Sequence, residues 1–304
     1  METAEFARAD AEFYVEILER SHAISYKTTY DALHEFELNR LLTVNPKSKI
    51  PSRFDIAQED IPAVLLVGGI GTRLQPVLPA TPKPLAPVGD APFLQLLIRQ
   101  LRSQGIRHIV MCAGHLAEQI EEEFGDGHKW DVAISYSKES RPLGTAGAVK
   151  FAECLLTQAS DFLVMNGDSF LELDFSEFIR FHREHNGLIS MAVRRVPDTT
   201  RYGTVRLDTH NRVVGFREKM GTPVPGIING GVYLFKHAIL EHIPDGPASL
   251  EKDLFPRLLV RGVYALEQQG MFIDIGTPED YARAQELCGR LYLEIGRASC
   301  RERV

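Results

Sequence analysis

LLVGGIGTRLQPVLPATPKPLAPVG, Leu65 to Gly89, is the stretch on which the fold turns. An apolar, strand-like run, AVLLV, ends in Gly68, Gly69 and Gly71. Glycines just past a strand remove side chains from the loop, so that backbone N–H groups can approach phosphate oxygens closely. The spacing is not the dinucleotide fingerprint G-x-G-x-x-G, because Arg73 and Leu74 stand where the third glycine would fall, and no G-K-[ST] completes a P-loop. A redox Rossmann enzyme and a P-loop ATPase are therefore disfavoured. Arg73 offers a planar, multidentate phosphate partner, and Lys83, held between Pro82 and Pro84, offers a point charge. The structural alternative is a glycine-rich turn with surface bases.

Outward from this loop, the chain from about residue 59 alternates apolar runs with amphipathic stretches: PFLQLLIRQLRSQG, HIVMCAG, HLAEQIEEEFG, VAISYS, AVKFAECLL and DFLVMNGD. Such alternation predicts an α/β domain, a Rossmann-like, mixed but mainly parallel sheet covered by helices on both faces, with ligands at the carboxyl ends of the strands. After residue 187 the runs shorten to LISMAVRRV, GTVRLD, RVVGFREK, IINGGVYLF and GVYALEQQG, which predicts antiparallel strands forming a smaller lobe. The nucleotide-handling domain is expected to span residues 59–290. Residues 1–58 read as a helical N-terminal extension of unassigned role, with helices around Glu5–Glu19 and Tyr30–Leu42 before the linker NPKSKIPS. The last ten residues, Ile295–Val304, read as translated adapter DNA, a non-native tail.

The 304 residues carry a formal net charge of −7, which argues against a general nucleic-acid binder or a membrane-surface protein, both of which rely on a broad positive field. Four scattered cysteines form no C-x-x-C pair, and no signal peptide or membrane span is readable, so the protein is expected in the reducing cytoplasm, with a homo-oligomer left open. Two aspartates at strand ends, Asp168 in MNGDSF and Asp274 in FIDIGTPED, would suffice for Mg²⁺ if they met, because that ion completes its shell with water and substrate phosphates. Aspartates also cap turns, and spacing alone does not decide between the two roles. Glu218, Lys219 and Asn229-Gly230 in the later half have the chemistry for sugar hydroxyls and a phosphate, and read equally as ordinary strand ends. His182 and His185 read as surface residues on a helix.

L-x-G-G-x-G-T-R-L followed by P-K-P resembles the signature of the sugar-1-phosphate nucleotidyltransferase family, and the likeness runs from about Ile61 to Glu286. Val67 and Leu78 depart from the usual Ala and Thr, and Met220 from a frequent Pro. The resemblance implies a nucleotide-diphospho-sugar transferase fold. In its terms the glycine loop with Thr72 and Arg73 embraces the nucleotide phosphates, Lys83 sits near the reaction centre, and Asp168 and Asp274 together hold Mg²⁺. The segment YSKESRPLGTAGA would wall the base with Gly144 and Thr145, while Glu139 reads the base edge. A carboxylate accepts from both N1–H and N2–H₂ of guanine, whereas uracil and thymine suit an amide better, so GTP is the favoured donor. Gly203, Glu218, Lys219, Asn229 and Gly230 would bind the sugar 1-phosphate. RYGTV, FREK, INGGVYLF and IDIGTPEDY most resemble guanylyltransferases acting on heptose and mannose 1-phosphates. A thymidylyl- or uridylyltransferase of glucose 1-phosphate and a catalytically silent regulatory subunit are the alternatives. The silent subunit would be expected to lack Arg73, Lys83 or an aspartate.

Overall fold

The computed structural model describes residues 61–287, apart from 70, 72, 75, 79, 80, 218–220 and 222. The expected extension 1–58, the tail 295–304, Thr72, Glu218 and Lys219 lie outside the described residues.

In chain order the elements that frame the site are β1 (Ala63–Leu66), β2 (Pro87–Val88), β3 (Ala91–Pro92), α1 (Phe93–Ser103), β4 (His108–Ala113), α2 (Ala117–Phe124), β5 (Ala133–Lys138), α3 (Gly144–Phe151) and β6 (Asp161–Asn166). There follow β7 (Ser169–Leu171), α4 (Phe175–Glu184), β8 (Ile189–Val196), β9 (Thr204–Leu207), β10 (Val213–Arg217), β11 (Gly226–Lys236), α5 (Phe255–Leu258), β12 (Val263–Gln268) and β13 (Phe272–Asp274). β6, β1, β4 and β5 lie side by side and parallel. β1 has β4 on one side and the later β6 on the other, the arrangement that opens a crevice at the carboxyl ends of strands.

Alternation along these strands feeds two cores. Ala63 and Leu65 of β1 and Leu163 and Met165 of β6 pack with α1, α2 and α4 on one face. Val64, Phe162 and Val164 face α3 and α5 on the other. Both faces are buried, which is why the strands read as continuous apolar runs. α1 starts directly behind Pro92 and ends at Gln104, with Gly105 taking φ 82° in the turn that follows.

The antiparallel half continues the same sheet. β11 pairs antiparallel with β6, β8 and β9, and its register shifts between Asn229 and Val232, where Gly231 takes φ 75°. β12 departs from the expectation of an antiparallel strand and runs parallel to β8. The connection from β11 through the helical turns of residues 237–261 is long enough to carry the chain across, as parallel pairing requires. β7 and β13 form a separate two-stranded sheet. The histidines also differ from expectation. His182 is fully buried with its Nδ1 2.8 Å from Ser190 Oγ, and His185 is half-buried. His182 stands seven residues after Phe175, on the apolar stripe that Phe178 and Ile179 continue. Among the described residues no helix is long and apolar enough to cross a membrane.

Candidate active site

A cleft of about 500 Å³ opens at the carboxyl ends of β1, β4 and β6. It is lined by Gly68, Gly69, Gly71, Lys83, Glu139, Gly144, Thr145 and Asp168, eight of the residues singled out from the sequence, with Cys112 and Asn166 on its walls. A Cβ built on Gly69 would meet nothing within 4 Å. Packing therefore does not require a glycine there, and the open space beside the backbone is of the kind an approaching anion uses.

Lys83 belongs to a short 3₁₀ turn, Lys83–Leu85, flanked by Pro82 and containing Pro84. The two prolines stiffen the turn, and the lysine side chain is only 10% exposed. Its Nζ donates to Asp168 Oδ2 at 2.5 Å. Arg73 lies on the exposed outer side of the loop, makes no hydrogen bond or ion pair with another described residue, and does not line the cleft.

Asp168 and Asp274 are brought together by the small sheet. β13 pairs antiparallel with β7 so that Asp274 faces Ser169, and the amide of Ile275 donates to the carbonyl of Asp168 at 3.0 Å. Burial, and then the charge of Asp168, push the Asp274 carboxyl above its ordinary range, while Lys83 and the Gly276 amide, 2.6 Å from Oδ1, pull the other way. Lys83 thus pairs with Asp168 and acts on Asp274 through its charge. Among the described residues no group of three or more His, Cys, Asp or Glu is placed to hold a metal. A pair of hard oxygen ligands beside a phosphate-sized cleft nevertheless fits Mg²⁺, which binds through one or two carboxylates and substrate phosphates.

At the other end of the cleft Glu139 leaves β5 with its Oε1 wedged between two glycines. A Cβ on Gly68 or Gly114 would come within 2.8 or 2.7 Å of that oxygen. Oε2 accepts from the Leu143 amide at 3.1 Å. Burial raises the carboxyl above its usual range and the Leu143 bond opposes it. The thiol of Cys112 is pushed up to about 12 by burial and by Glu139, so it is a neutral wall rather than a nucleophile. Gly144 takes φ 70° and a Cβ there would lie 2.6 Å from the Ala248 carbonyl oxygen, which clamps the loop against residues 248–250. Thr145 Oγ1 accepts from the Leu250 amide at 2.8 Å.

A second hollow, about 590 Å³, lies at the carboxyl ends of β8 and β12 and is lined by Asp274, Tyr202, Phe272, Arg194 and Arg201. Arg201 grips Asp280 bidentately, at 2.8 and 2.5 Å, and Thr277 Oγ1 donates to the same carboxylate at 3.0 Å. Tyr202 and Phe272 meet edge to face. Burial, with the charges of Asp280 and Asp274, raises the Tyr202 hydroxyl and keeps it a donor. Pairing of Ile228 with Thr204 sets Gly203 alongside Asn229. Asn229 Nδ2 donates to Tyr233 Oη at 2.6 Å, its Oδ1 accepts from Gly231 N at 3.0 Å, and Gly230 is buried behind it. Sequence reasoning missed Arg201, Asp280, Tyr233 and Glu251. The first two sit inside the quoted RYGTV and DIGTPEDY segments, whereas Tyr233 reads as strand core and Glu251 as a first-turn acid.

The model of the nucleotidyl transferase family matches residues 62–289. The chain is similar to mannose-1-phosphate guanyltransferase beta-A of Xenopus laevis, at 36% identity over 223 residues, covering 72% of this chain and 62% of that protein. It is similar to mannose-1-phosphate guanylyltransferase of Mycobacterium tuberculosis, at 35% over 232 residues, covering 75% of this chain and 64% of that protein. The chain thus spans less than two thirds of the length of these relatives. Among solved structures, HddC from Yersinia pseudotuberculosis complexed with GMP-PN superposes with a TM-score of 0.67 at 35% identity, covering 74% of this chain and 98% of that one.

Proposed function

The chain belongs to the nucleotidyl transferase family, and from that premise we propose that it is a sugar-1-phosphate guanylyltransferase, moving GMP from GTP to a heptose- or mannose-type sugar 1-phosphate and releasing pyrophosphate. The observation that carries the reading is the pairing of Lys83 with Asp168 in a glycine-walled cleft that Glu139 also lines, with β7–β13 pairing bringing Asp274 of the neighbouring hollow next to Asp168 in the sheet. The similarity to two mannose-1-phosphate guanylyltransferases and to HddC complexed with GMP-PN supports guanine and the sugar class.

The base would lie against Gly144 and Thr145 with its N1–H and N2–H₂ edge toward Glu139. The phosphates would cross Gly68, Gly69 and Gly71, with Arg73 folding in from the rim once a polyanion is present. The sugar would occupy the hollow beside Gly203, Tyr202 and Asn229, completed by Glu218 and Lys219. A sugar-phosphate oxygen then attacks the α-phosphorus directly, since a phosphate monoester dianion needs no general base. Lys83 holds the charge that builds on the α-phosphoryl oxygens, and Arg73 that on the departing pyrophosphate. Asp168 and Asp274 would hold Mg²⁺, which when bound supplies Lewis-acid stabilisation of the phosphate oxygens.

Pyrophosphate release over a matrix of nucleoside triphosphates and sugar 1-phosphates with Mg²⁺ tests the reading. GTP with mannose or heptose 1-phosphate is expected to be fastest. UTP or dTTP with glucose 1-phosphate winning would overturn the base and the sugar, and no release from any pair would leave a silent subunit.

A further inference from the structure

The two ends of the substrate site sit on different parts of the chain, and one carboxylate ties them together. Glu251 lies on a single π-helical turn, Leu250–Leu254, and is half-buried. Its Oε1 accepts from the Tyr233 hydroxyl at 3.3 Å, and its Oε2 from Thr145 Oγ1 at 3.4 Å and Ser249 Oγ at 3.2 Å. Tyr233 is fully buried in β11, so its hydroxyl has no water to turn to. It accepts from Asn229 Nδ2 at 2.6 Å and spends its one proton on Glu251. With Oδ1 taken by the Gly231 amide, the Asn229 amide is fixed in one orientation. Thr145 spends its proton on the same carboxylate while accepting from Leu250 N, which fixes the loop beside the base. A hydroxyl carries one proton, and an ionised carboxylate can only accept, so the direction of every bond in the chain follows from Glu251.

We propose that Glu251 is a positioning residue that registers the nucleotide half of the site to the sugar half, through Thr145 on one side and through Tyr233 and Asn229 on the other. It touches neither substrate. The inference rests on the guanylyltransferase reading, because that reading gives Thr145 to the nucleotide and Asn229 to the sugar. Replacing the carboxylate by an amide puts two protons where only acceptors stood. The amide keeps one acceptor, so either Tyr233 on one side or Thr145 and Ser249 on the other must face a donor, and the tie between the two halves breaks on that side.

The test is steady-state kinetics on the full chain with the substrate pair that the wild type turns over fastest. Y233F keeps the buried ring and removes only the hydroxyl, and it should raise KM for the sugar 1-phosphate about tenfold, the scale of one lost bond in a charge-assisted chain, with KM for the nucleotide unchanged. E251A, which removes both acceptors, should raise both KM values, each by about fivefold to tenfold, with kcat changed less than threefold. If E251A does not fold, E251D, which keeps the charge but falls short of both hydroxyls, should give the same double effect. A residue that merely supports the fold would lower thermal stability and leave both KM values where they were, and that result overturns the proposal. So does an E251A effect confined to one substrate, or a fall in kcat alone. Absence of turnover in the wild type with every substrate pair would count against the guanylyltransferase reading instead. Equilibrium binding of GTP and of mannose 1-phosphate to the same variants would then read the coupling directly, with weaker binding of both to E251A expected and unchanged binding overturning it.

Discussion

Replacing Asp274 by Asn separates what the carboxylate does for folding from what it does for the substrate. Asn keeps the Oδ1 that accepts from Gly276 N at 2.6 Å, so the turn after β13 is retained. The charge is lost. Burial and Asp168 raise the Asp274 carboxyl in the folded state, so the ionised form is less favourable there than in the unfolded chain. That penalty is fully present above the raised folded pKa and vanishes as pH falls below the ordinary carboxylate range, where both states are protonated. D274N without ligand should therefore melt higher than the wild type at pH 7.5, with the difference shrinking toward zero as pH falls to about 4. With Mg²⁺ and nucleotide the order reverses. A ligand at a hundredfold excess over its Kd adds roughly 2.7 kcal/mol. At about 2–4 °C per kcal/mol for a domain of this size, that is a wild-type rise of about 5–10 °C, which D274N should largely forfeit. Turnover should fall on the order of 10²-fold, the loss expected for a preorganised electrostatic group. Differential scanning fluorimetry with and without Mg²⁺ and nucleotide, beside a pyrophosphate assay, reads both effects. A variant with the full ligand-dependent rise and activity within threefold of wild type would refute the assignment of Asp274 to the metal.

E139Q keeps an acceptor for the Leu143 amide but sets a donor against the guanine edge. It should cost roughly 1–3 kcal/mol in kcat/KM for GTP and less for UTP or dTTP, and an unchanged GTP preference would remove Glu139 from base reading. R73A should raise KM for the nucleotide about tenfold without lowering Tm, because Arg73 has no hydrogen bond or ion pair with a described residue in the folded chain; a lowered Tm with unchanged kinetics would make it structural. Gly69 and Gly144 should part company. G144A combines a left-handed φ of 70° with a close contact to the Ala248 carbonyl and should lose about 2–4 kcal/mol in urea denaturation. G69A should leave the denaturation midpoint in place and weaken nucleotide binding, and the reverse pattern would contradict a phosphate path across Gly69.

The crevice was legible because its parts are local. A strand, a glycine loop and a proline-framed lysine follow one another within Leu65–Gly89, and the alternation of apolar runs fixed the parallel order around them. The meeting of Asp168 and Asp274 was not legible from spacing and came only with the family resemblance, since it depends on β7 pairing with β13 across the whole antiparallel half. Parallel pairing of β12 was hidden because a short alternating run carries no mark of direction. His182 was legible and misread: its polar neighbours in FHREHN obscured a seven-residue step from Phe175 that places it on the buried stripe. Tyr233 and Glu251 gave no signal, because the value of each lies in the direction of a proton that only the three-dimensional neighbours determine.

The pairing of β7 with β13 also has a consequence in time. The glycine loop, Lys83, Glu139 and Asp168 leave the ribosome well before Asp274 is made. At about 5–20 residues per second the interval between the two aspartates is roughly 5–20 s. During it the nascent chain carries the glycine loop and Asp168 without the second carboxylate to which the proposed reaction assigns the metal. Closure of that small sheet is a long-range contact and belongs to the slow end of folding. A chain cut short between residues 168 and 272 would carry the glycine loop, Lys83, Glu139 and Asp168 without Asp274.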